Sequence, residues 1–288
     1  MKFCVLAAAA AAALSTPALA AGSAAPAAQA YFDIGAGGGF GNEWGNYFTS
    51  YSWTQVMFHG AARAAFMLAP NMSLQVDAWA NHATGNYTAD YGGAPDFQTT
   101  TPGIAAHLSW HGQDNDLFGA FVSVGQAGYA NDEVATVGLE AVRWMGRYRL
   151  YGQAGYSQGF NAESGLGDGY VEGVVSYYAT PNLVFTGALG YDHASLSSAG
   201  SDNWAGDEMN WLARLEFKKM DAPASFYVVY QGWAWTGSYP AYSNTFNGTQ
   251  QEVLAGVRVP FGGGGSIQNL DQQVGLTDMD PMYGDIPH

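Results

Sequence analysis

From Glu208 to Phe217 the odd positions are Met209, Trp211, Ala213, Leu215 and Phe217, while the even positions include Glu208, Asn210, Arg214 and Glu216. A period of two marks a strand with one apolar and one polar face; a helix would repeat about every 3.6 residues. Met72, Leu74, Val76, Ala78 and Ala80 alternate in the same way with Ser73, Gln75, Asp77, Trp79 and Asn81. Val253, Ala255, Val257, Val259 and Phe261 alternate with Glu252, Leu254, Gly256, Arg258 and Pro260. Carried along the chain, this reading predicts strands over 31–41, 54–69, 71–82, 101–112, 115–129, 133–145, 147–159, 168–179, 182–193, 207–219, 224–236 and 250–261. Most are far longer than the roughly 5–6 residues usual in globular sheets, and long enough for a tilted bilayer crossing of about 9–11 residues.

The connections alternate in length. Short turns at Pro70, Gln113-Asp114, Gly146, Thr180-Pro181 and Met220 to Pro223 take every second place, and longer stretches such as 83–100, 194–206 and 237–249 fall between them. One end of the sheet is trimmed and the other carries loops, which sets the short-turn side toward the periplasm in a membrane barrel. The apolar face also sorts its aromatics by height. Near the short turns it collects Phe32, Phe66, Trp110, Phe118, Trp144, Tyr148, Tyr177, Phe185, Phe217, Phe226 and Phe261, the expected girdle at a lipid–water interface. In hydrocarbon a sheet must leave no edge N–H or C=O unpaired, so the first strand is expected to pair with the twelfth. The fold class that follows is all-β, a 12-stranded antiparallel transmembrane β-barrel.

Composition narrows the alternatives. The 288 residues are 48% hydrophobic, 15% aromatic and only 11% charged, with 39 Gly; soluble domains carry about 25% charge. Disordered and coiled-coil chains have the opposite bias. With Lys+Arg 9 against Asp+Glu 24 and a net charge of −15, the chain lacks the basic face that a nucleic acid requires. Lys2, the apolar run Val5 to Leu14 and Ala18-Leu19-Ala20 read as a cleaved secretory signal over 1–20, followed by a flexible tail over 21–30. Cys4, the single cysteine, lies inside that signal, so the mature protein is expected to hold no disulfide. No segment has 18 or more uninterrupted apolar residues, so no membrane-spanning helix is expected.

With the signal, the alternating strands, the loop asymmetry and a last strand Leu254-Ala-Gly-Val-Arg-Val-Pro-Phe261, the chain resembles Gram-negative outer-membrane β-barrel proteins of the porin-like kind over residues 31–261. The match to that family's terminal assembly signal is at Gly256, Val259 and Phe261, with Leu254 where a polar residue is usual. The chain also continues past the terminal aromatic into a Gly-rich, acidic segment over 262–288, expected in the periplasm either as a flexible appendage or as a plug. The resemblance implies the bacterial outer membrane as location, its lipid and lipopolysaccharide as surroundings, and small solutes as cargo.

Lumen-facing parity gathers Asp33, Arg63, Asp77, Glu140, Arg149, Glu172, Arg214, Glu216, Glu252 and Arg258. Glu140 and Arg149 straddle the Gly146 turn and are expected to face each other, and Asp33 and Arg258 to pair where the barrel closes. Twelve strands about 4.8 Å apart and tilted by ~40° leave a bore of roughly 10–13 Å, which is either open or filled by inward aromatics such as Trp79, Tyr151, Tyr178, Tyr227, Trp233 and Trp235. At the loop end Glu43, Asp90, Asp96, Asp132, Glu133, Glu163, Asp168, Asp192, Asp202 and Asp207 form an acidic extracellular rim that would concentrate cations.

The expected function is passive diffusion of small hydrophilic solutes with a weak cation preference, without catalysis. The alternative is a non-conducting barrel with a filled lumen whose loops contact other surfaces. A remoter one rests on His193, Ser195 and Asp207, which share the outward parity and resemble the His-x-Ser constellation of outer-membrane lipid A deacylases, though Leu196 stands where that family has Asn. No cofactor is expected: Gly35 to Gly41 lacks the following helix of a phosphate cradle, and Asp202, Asn203, Asp207 and Glu208 match no EF-hand spacing.

Overall fold

A computed structural model describes residues 29–45, 50–89, 96–112, 116–127, 132–160, 165–197, 204–239, 244–261 and 265–274; the expected signal and nearly all of the N-terminal tail lie outside them. Twelve strands follow one another: β1 (Gln29–Gly45), β2 (Tyr51–Ala69), β3 (Met72–Ala89), β4 (Asp96–His111), β5 (Leu117–Ala127), β6 (Asp132–Met145), β7 (Tyr148–Gly159), β8 (Gly165–Thr180), β9 (Leu183–Ser197), β10 (Trp204–Phe217), β11 (Ser225–Tyr239) and β12 (Asn244–Phe261). Each is antiparallel to its sequence neighbours, and β1 pairs with β12 from Ala30↔Phe261 to Gly45↔Phe246. The barrel is closed, so no ladder edge faces lipid.

The strands run from 11 to 19 residues and outgrow their sequence-predicted bounds mainly at the loop end. The expected loops 83–100, 194–206 and 237–249 are largely strand: β3 continues to Ala89, β9 to Ser197 and β11 to Tyr239. Above the lipid both faces meet water, so the period-two signal fades while backbone pairing continues.

The outward face is greasy over one band. On β10 it presents Phe217, Leu215, Ala213, Trp211 and Met209; Leu189, Val171, Leu139 and Val122 stand exposed on neighbouring strands. Five outward residues per strand, about 3.3 Å apart per residue and tilted by ~40°, cover about 20 Å, near the ≈25 Å apolar band of membrane barrels. Of the expected girdle, Phe32, Trp110, Phe118, Tyr148, Tyr177, Phe185, Phe217, Phe226 and Phe261 are exposed, and Phe66 is half-buried. Trp144 is a correction: it is 8% exposed and packs inside against Tyr178. It lies four residues from Glu140 on one strand, hence on the same face, so an inward Glu140 carries Trp144 inward with it.

Among the described residues one helix, α1 (Ile267–Val274), follows the last strand. Its Ile267 is buried in a cluster with Leu117, Val142, Trp144, Tyr151, Tyr178 and Val184, inward residues at the short-turn end. Gln268 donates its backbone N–H to Pro181 O at 3.0 Å, at the β8–β9 turn.

Candidate functional site

All ten ionisable residues assigned to the lumen point inward and are buried. Those at the β1 seam form one network. Asp33 accepts from Tyr227 Oη at 2.9 Å and lies 3.2 Å from His59 Nε2. Arg214 reaches Glu216 at 3.0 Å and Asp33 at 4.0 Å, with its guanidinium 4.1 Å over the Tyr227 ring. Arg258 stands opposite Asp33 in the ladder, as expected; its recorded ion pairs are with Glu216 at 3.6 Å and Asp271 of α1 at 3.2 Å.

Across the lumen Arg63 approaches Asp77 at 3.7 Å, and His107 bridges Asp77 at 3.4 Å and Glu140 at 3.0 Å. The expected facing of Glu140 and Arg149 is corrected by the register: the two-residue turn pairs Met145 with Tyr148, which puts Gln153 opposite Glu140 and Trp144 opposite Arg149. Farther up, Glu172 accepts from Gln153 at 2.6 Å, and Glu252 accepts from Gln55, Gln250 and Gln231 at 2.6–2.8 Å. His107 and Gln75, absent from the expected lumen set, are 0% exposed within this lining. Their signal was only polar parity amid apolar neighbours.

This packing excludes a wide bore at mid-height. Among the described residues, two of the small cavities there have about 30 Å³ each, room for a water or two. The first is bounded by Asp33, His59, Asn81, Arg214 and Trp233 among others; the second by Arg149, Glu172, Arg214, Arg258 and Asp271 among others. Arg214 lines both. Toward the loop end the lumen narrows on one side through Trp53, Met57, Ala83, Phe97, Trp233 and Trp235. A Cβ at Gly41 or Gly248 would fall inside the Trp53 or Trp235 indole, so only glycine admits these rings against the wall.

The acidic rim divides. Asp168 and Asp192 are buried toward the lumen rather than displayed at the mouth, and Glu208 joins them on the same face. Inward parity placed them there, but their position beside the loops masked it. Glu43 is half-buried, Asp96 and Glu133 are exposed, and Asp132 begins β6. Asp90, Glu163 and Asp202 lie outside the described residues. Every Arg and Lys of the described strands and turns sits in the short-turn half, and Asp168, Asp192 and Glu208 sit in the outer half of the lumen. Among the described residues no group of His, Cys, Asp or Glu is placed to hold a metal ion.

Asp207 faces outward. It accepts from His193 Nδ1 at 2.9 Å and from Tyr191 Oη at 2.5 Å, just above the apolar band. Ser195 follows on the same exposed face, and among the described residues no hydrogen bond links it to His193. His193 and Asp207 form a hydrogen-bonded surface pair with tyrosine support, lacking an engaged nucleophile.

No protein-family model matches the sequence, and no curated protein does. Among solved structures, an outer membrane channel from Pseudomonas putida F1 is 11% identical, over 86% of this chain and 98% of its own, with a TM-score of 0.61. The β domain of the Bordetella autotransporter BrkA is 12% identical, over 81% of this chain and all of its own (100%), with a TM-score of 0.51. At those identities the likeness is one of fold: a closed barrel of the outer-membrane kind.

Proposed function

We propose that this protein is a narrow outer-membrane channel for small hydrophilic solutes, with a cation preference, and that Arg214 forms its constriction. One observation carries the reading: a sealed, greasy-walled cylinder is lined with ionisable and amide side chains, and its two internal cavities meet at a single guanidinium. Burying so many polar groups is costly unless they are hydrogen-bonded to one another or to water and polar solutes that share the space. The Pseudomonas putida protein of like fold is described as an outer membrane channel, a role carried here to this chain. Exit on the short-turn side would be into the periplasm and entrance from the outside. Cation preference follows from Asp168, Asp192 and Glu208, which bias local ion concentrations over about a Debye length, roughly 8–10 Å at physiological salt.

The test is single-channel recording in planar bilayers. Small discrete steps with a cation-directed reversal potential support the reading. A second reading, a non-conducting barrel that acts through its surface, is favoured by the complete burial of His107 and Gln75. Electrical silence from well-folded, heat-modifiable protein would establish it instead.

A further inference from the structure

We propose that the C-terminal helix α1 is a displaceable stopper in the periplasmic mouth, latched by Asp271, and so regulates the channel reading on which this inference rests. The wall does not need it. All twelve ladders are complete by Phe261, where β12 ends, so the helix adds no strand and closes no edge.

Its contacts span the opening rather than one side of it. Asp271 accepts from Tyr178 Oη of β8 at 2.7 Å and from Arg258 of β12 at 3.2 Å. Lys218, just past β10, donates to Gly265 O at 2.6 Å, and the Gln268 side chain reaches Gly146 O, at the β6–β7 turn, at 3.4 Å. Asp271 also borders the lower of the two cavities. A helix with side chains is about 10–12 Å across, close to the roughly 10–13 Å left inside a twelve-stranded wall. Seated this way, one helix fills the mouth.

The same features make it releasable. Eight residues are too few to hold a helix in water, where about 12–15 are marginal; α1 is therefore helical only while docked, and leaving and unfolding are one step. The other side of the latch is prepared for the helix to leave: Arg258 keeps Glu216 at 3.6 Å and the Tyr31 ring at 4.7 Å, so undocking does not strand its guanidinium. Ile267 and Asp271 lose their surroundings, and Tyr178 Oη and Lys218 Nζ exchange their partners in the docked segment for water.

The experiment compares full-length mature protein, a chain ending at Phe261, and full-length Asp271→Asn by single-channel recording, with heat-modifiable migration as the check of folding. The stopper predicts larger or longer openings from the shortened chain and about a tenfold higher open probability for Asp271→Asn, equivalent to roughly 1.4 kcal/mol in the docking equilibrium. If the shortened chain does not fold, full-length Ile267→Glu, which expels the buried side chain, replaces it with the same expected outcome. Identical steps and open probability in every folded variant overturn the stopper and leave the channel standing. Silence in all of them, the shortened chain included, overturns both.

Discussion

Arg214 lines both lumen cavities, and three neighbours hold it there: Glu216, Asp33 and the Tyr227 ring. Shortening it by Arg214→Ala should merge the two spaces and raise single-channel conductance. It should also lower stability by about 3–5 kcal/mol, because removing one member of a buried ionic network leaves the other charges uncompensated. Unchanged conductance from folded variant protein would remove Arg214 as the constriction. The acids make a second test by orientation. Asp168→Asn, Asp192→Asn and Glu208→Gln together should lower the cation-to-anion permeability ratio read from reversal potentials, whereas Asp207→Asn, on the outward face, should leave it alone. If Asp207→Asn shifts the ratio as much, the preference arises at the surface and not in the lumen. Two residue-scale expectations failed for local reasons. Trp144 was assigned outward for its position near a short turn, although its parity with Glu140 required the opposite. Glu140 and Arg149 were set facing because they straddle Gly146, but the turn comprises Gly146 and Arg147, with Gly146 at φ 62°; Glu140 stands six residues before that turn and Arg149 only two after it, so the hairpin brings Gln153 opposite Glu140.

At the scale of strands, the claim that the outward band sits in hydrocarbon is open to direct measurement. Leu189 is 57% exposed within that band, opposite Trp211. Leu189→Arg should destabilise the barrel by about 1–3 kcal/mol in denaturant unfolding from lipid vesicles, between the cost of a cation at the bilayer midplane and that at the interface; a loss near zero would place this height in water. The outward His193–Asp207 pair belongs to the same face. His193→Ala should leave the acylation of outer-membrane lipid unchanged when expressed in intact cells, and altered acyl content would revive the hydrolase reading. All twelve strands were legible as elements because inside and outside differ in polarity over the lipid band. Their upper ends at Ala89, Ser197 and Tyr239 were not, since above that band both faces meet water and neither parity is favoured.

For the whole molecule, alternation together with strand length determined that the chain forms a closed antiparallel barrel with a polar inside. Each residue's face is a local property set by the pleat, and closure is forced by the cost of an unpaired ladder edge in lipid. That is why all ten lumen residues could be assigned by parity alone. The sequence also showed that the chain outlasts its final strand, and posed an appendage and a plug as equal outcomes. Only the tertiary structure decided that Ile267 and Asp271 dock in the mouth, that His107 joins Asp77 to Glu140, and that the bore contracts to two cavities at Arg214. These are contacts between side chains of different strands, or of a strand and the helix, some far apart in the chain, such as Tyr178 and Asp271. Which side chains meet there depends on the stagger and tilt accumulated around all twelve strands, a global geometry to which a local two-residue repeat is blind.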